Sequence, residues 1–160
     1  MTRRFRSGID KQIPDILVPQ LQDYFSLQDL VLLTQALNTG SVLLTLAPKE
    51  TFPLVEKSLL QPVYQLAHSP LVSGSALEAL TNFYCALVVA DPEIATRVVP
   101  GLVAAIEKHE RAEASPENVS KCISAVVRGS PAIAAGVIAE FSKAIKVRTF
   151  QESWNYFLIV

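Results

Sequence analysis

Covalent catalysis needs a nucleophile, a base and a group that orients the base. The side chains here that could begin such a set are His68, His109, Cys85 and Cys122. Their settings point to packing instead. His68 precedes Ser69-Pro70, a pairing that ends helices, where an imidazole serves the last carbonyls and the negative end of the dipole. His109 stands in Glu107-Lys108-His109-Glu110-Arg111, a mixed-charge run expected to be a solvated helix end. The two cysteines lie 37 residues apart. Two thiols make neither a tetrahedral zinc cage nor a disulfide framework, so they are expected to be equivalent small buried groups, one per structural repeat. Gly129 and Gly136 are isolated, and no Gly-x-x-x-x-Gly-Lys loop follows a strand pattern to cradle phosphate. Asn118-Val119-Ser120 is a glycosylation sequon by pattern alone, and the Ala-rich stretch from Ala132 to Ala139 reads as close helix packing. The expectation is a non-enzymatic chain with no catalytic residue, metal, cofactor or small-molecule substrate.

The elements that would position any surface chemistry are helical. With 160 residues and half of them apolar, the chain can bury roughly 68–70% of the surface its unfolded form exposes, which rules out disorder. A net charge of −1 is not the excess of Lys and Arg that a nucleic-acid or anionic-membrane surface requires, so protein partners are expected. The basic start through Arg6 leads into no apolar signal segment, and no apolar run approaches the ~18 residues of a membrane span. The chain is therefore read as soluble and intracellular, with the cytoplasm and nucleus as its expected compartments.

Three similar segments recur around Pro19, Pro62 and Pro100, at intervals of 43 and 38 residues. Those intervals sit near the ~40–47 residue period of HEAT and armadillo arrays, whose units are antiparallel helix pairs. Between the prolines, apolar stripes recur at helical spacing: Val55, Leu59, Val63 and Leu66 over about 52–68; Ala76, Leu80, Phe83 and Leu87; Ile94, Val98, Leu102 and Ile106; Val119, Ile123 and Val126; Ile133, Val137, Phe141 and Ile145. Ser73, Ser115-Pro116 and Ser130-Pro131 mark helix starts. Upstream, a helix is expected from Ile13 to Tyr24 and another from Leu27 to Leu46, capped by Ser26 and bent or broken at Asn38-Thr39-Gly40. The internal prolines should kink their helices. The fold class predicted is all-α, an α-solenoid of HEAT-type antiparallel helix pairs, about three and a half of them, over residues 1–146. Residues 147–160, ending Trp154-Asn155-Tyr156-Phe157-Leu158-Ile159-Val160, form an atypical apolar tail outside any complete repeat. Neither end reads as a polar cap, so a fragment of a longer array is expected.

Solenoids bind other proteins along the concave face built by the second helix of each pair. On that assignment the candidate contact residues are Glu56, Lys57 and Gln65, then Arg97, Lys108 and Arg111, then Lys143 and Lys146.

The stretch His68-Ser69-Pro70-Leu71-Val72-Ser73-Gly74-Ser75-Ala76-Leu77, with Phe83 and Ala86-Leu87-Val88-Val89 after it, resembles the cullin-associated and neddylation-dissociated family of HEAT-repeat proteins, also called TATA-binding-protein-interacting. Ser120 to Val126 is similar to the next helix of that family, and Leu27 to Pro48 more loosely so. The resemblance implies a non-catalytic exchange factor that wraps an unneddylated cullin with its RING subunit and competes with substrate-adaptor modules. The alternative is a HEAT scaffold or nuclear-transport adaptor with other cargo. Family members exceed a thousand residues, so this chain would hold only part of their grip, and after Lys146 the similarity ends.

Overall fold

The computed structural model describes residues 3–108, 115–137 and 139, and every regular element among them is helical. The order is α1 (Arg3–Gln22), α2 (Leu30–Leu46), α3 (Pro48–Ser58), α4 (Leu60–His68), α5 (Gly74–Ala90), α6 (Ala95–Lys108) and α7 (Pro116–Gly129), with single 3-10 turns at Pro92–Ile94 and Pro131–Ile133. The helices lie in two rows. In one row α2 packs along α5 and α5 along α7; in the other α1 lies beside α3, and α4 beside α6. One core runs between the rows, from Val18 and Leu21 through Leu37, Leu59, Phe83 and Tyr84 to Leu102, Val119 and Val126. The apolar stripes read from the sequence are its lining. Every stripe residue from Val55 to Leu102 is buried, as are Val119, Ile123, Val126 and Val137, whereas Ile133 is half-buried. Phe141 and Ile145 lie outside the described residues.

The turns from the first row to the second share one device. Ala47-Pro48, Asp91-Pro92 and Ser130-Pro131 each hold the residue before proline away from the helical region, with ψ of 63°, 102° and 84°. The proline then sets φ for the first turn of the next element. The Asp91 carboxylate adds a cap, accepting from the Glu93 amide at 3.0 Å.

Three expectations are corrected. The second helix opens at Asp29, not Ser26, because the Asp29 Oδ1 atom accepts from both the Val31 and Leu32 amides, at 2.8 and 3.0 Å, and a carboxylate at the helix N-terminus also gains from the dipole. The segment read as one helix over about 52–68 is two, since α3 starts at Pro48 and ends at Ser58 and α4 starts beyond Leu59. Pro62 lacks an amide and its ring crowds the carbonyl of Ser58, four residues back, so the rod bends there. α1 and α6 run on through Pro19 and Pro100.

The third correction concerns Gly40, which does not break α2. A Cβ at that position would come within 2.7 Å of the Phe83 ring, so the glycine is there to let α5 approach. Gly129 of α7 does the same on the other side, where a Cβ would meet the Cys85 carbonyl oxygen at 2.8 Å. Glycine costs about 1 kcal/mol of helix propensity at each site and closer packing offsets it. Gly129→Ala should therefore destabilise the chain by about 1–3 kcal/mol in urea unfolding, opposite in sign to the propensity gain, because the obstructing atom is backbone and cannot rotate away. An unchanged or raised midpoint would show that the two helices are not this close.

Candidate protein-binding surface

The outer side of the second row brings together two of the residues singled out from the sequence. Glu56 projects from α3 and Arg97 from α6, and the Arg97 Nη1 atom forms an ion pair with Glu56 Oε1. Its side chains remain 59% and 32% exposed, so the pair is worth at most about 1 kcal/mol and weakens with salt. Close by, the hydroxyl end of the Tyr64 ring of α4 packs against Gly101 of α6, whose Cβ, if present, would stand 3.0 Å from the ring. The Tyr64 hydroxyl donates a long hydrogen bond, 3.5 Å, to the Arg97 carbonyl. Burial raises the Tyr64 phenol above its ordinary pKa, and the Arg97 charge partly opposes that rise. Lys57 and Gln65 are exposed on α3 and α4. Lys108 is the last residue of α6, whereas Arg111, Lys143, Lys146 and His109 lie outside the described residues, as does the tail 147–160. The part of the predicted surface that can be placed is thus a polar patch across α3, α4 and α6, suited to hydrogen bonding and charge recognition.

A second feature was not singled out in the sequence. Between α5 and α7, on the outer side of the first row, runs an open groove of about 490 Å³ lined by Glu78, Thr81, Ser120, Lys121, Ser124 and Arg128. Lys121 is tied to Glu117 one turn back at 2.6 Å, and that contact lowers the Glu117 pKa. The sequence carried the signal as Glu117, Lys121 and Arg128 on one helix face, away from the Val119, Ile123, Val126 stripe.

The side chains best fitted to reactivity are occupied by structure. Cys122 is fully buried, and burial pushes its thiol up to about 12, so no useful fraction is thiolate at neutral pH. Cys85 sits in the same row on α5 but is half-buried, so the two thiols are not equivalent as expected. Among the described residues no group of three or more His, Cys, Asp or Glu is placed to hold a metal ion.

Asn118 has a role the sequon pattern concealed. The side chain is buried, and its Nδ2 donates to the Ser69 carbonyl at 2.9 Å and the Val72 carbonyl at 2.8 Å, while the Ser115 amide donates to the His68 carbonyl at 2.9 Å. These bonds clamp the α4–α5 loop to the start of α7, whose first turn is capped by the Ser115 hydroxyl accepting from the Asn118 amide at 3.3 Å. Both protons of the Asn118 side-chain amide are engaged, and its nitrogen, the atom a glycosyl group would have to reach, is buried. Searches against protein-family models, curated proteins and solved structures each return no match.

Three outcomes are expected. Asn118→Ala should cost about 1–3 kcal/mol in chemical unfolding, since the buried Val72 carbonyl loses its donor and the Ser69 carbonyl keeps only the Val72 amide. A cost below about 0.5 kcal/mol would mean that the clamp is dispensable. Because the Cys122 pKa is raised on folding, stability is fully present below the unfolded thiol pKa and declines as pH rises from about 8.5 toward 12. Correspondingly, a thiol reagent at pH 8 should label Cys85 readily and Cys122 only on unfolding; fast labelling of both would contradict the burial.

Proposed function

We propose that this chain is a segment of a HEAT-type α-solenoid, about three and a half helix pairs, and that it works as a non-catalytic protein-binding module. One observation carries the reading: with α3 and α4 taken as one bent rod, successive helices alternate between two rows, and within each row they follow in chain order. That order is what stacking of successive helix pairs produces. The repeated Pro turns after Ala47, Asp91 and Ser130 are in keeping with it, at intervals of 44 and 39 residues. The binding face proposed is the outer side of the second row, with Glu56, Lys57, Gln65 and Arg97 as its placed residues. No helix among the described residues is long and apolar enough to cross a membrane.

The partner proposed is an unneddylated cullin with its RING subunit, and the compartments are cytoplasm and nucleus. This specific reading rests on the resemblance of His68 to Val89, which here form the clamped loop and α5. The chain would then take part in assembly of cullin-RING ubiquitin ligases by exchange of substrate adaptors. A HEAT scaffold or nuclear-transport adaptor with different cargo is the competing reading, favoured by the fact that the alternating rows are common to all such arrays.

Pull-down of purified cullin–RING complex, with and without neddylation, separates the two. Capture of the unmodified form alone, weakened at least about tenfold by reversing charge with Lys57→Glu and Arg97→Glu, is the expected result. Equal capture of both forms, or of neither, would remove the cullin and leave the general scaffold.

A further inference from the structure

We draw no further inference here: the strongest candidate, the open groove between α5 and α7 on the outer side of the first row, carries nothing, because the carboxylates of Glu78 and Glu117 offset the cations of Lys121 and Arg128 and nothing in the structure shows what covers it.

Discussion

Everything in this molecule hangs on the close approach of α2 and α7 to the two sides of α5. None of these helices can hide its apolar face alone, and α5 is the one enclosed on three sides. Phe83 and Tyr84, its largest fully buried side chains, point in different directions and serve different neighbours. Phe83 rests on Gly40 of α2 and meets Phe25 edge-on, ring centres 5.9 Å apart. Tyr84 reaches across to the second row and donates to the Val63 carbonyl at 3.2 Å, so its hydroxyl is buried without being orphaned. The phenol pKa is raised well above its ordinary value by that burial, which keeps it a donor at any physiological pH. Fully burying an aromatic ring contributes about 1.5–3 kcal/mol, and these two link three of the row contacts.

The pattern of small residues follows from the same constraint. Gly40 and Gly129 flank α5 in the first row, and Gly101 meets Tyr64 in the second. Each sits where two helices meet, so each rejects a methyl group for reasons of space, since none has the positive φ that favours glycine; among the described residues only Gly74, at the start of α5, does. The polar connections are as economical. Asn118 joins α7 to the loop after α4, and the buried Thr51 hydroxyl donates to the Leu43 carbonyl at 3.1 Å, joining α3 to the end of α2. These bonds fix how one helix pair sits on the next.

Much of the fold was legible because the helical stripes are long and regular. Val55 to Leu66, Ala76 to Leu87 and Val119 to Val126 all turned inward as their spacing required. What misled was local propensity set against tertiary contact. Asn38-Thr39-Gly40 reads as a stop, yet Phe83, 43 positions away, decides it. Asn118 reads as a sequon until the loop at Ser69 folds over it. Glu56 and Arg97 were each identifiable as polar residues of second helices, but their pairing depends on how two helices 41 residues apart align, which spacing along one helix cannot show. The groove between α5 and α7 was missed for the same reason, because a cleft belongs to two elements at once.

The central claim is that α2, α5 and α7 form an open row with α5 in the middle. Spin labels at Gln35 on α2 and Ser124 on α7, both exposed, measure it in a Cys85→Ser, Cys122→Ala background diluted with unlabelled protein. Two helix-to-helix steps of roughly 8–10 Å predict a distance distribution centred at about 20 Å or beyond. Dipolar broadening from labels within about 12 Å would place α2 directly against α7, as in a closed bundle, and contradict the account.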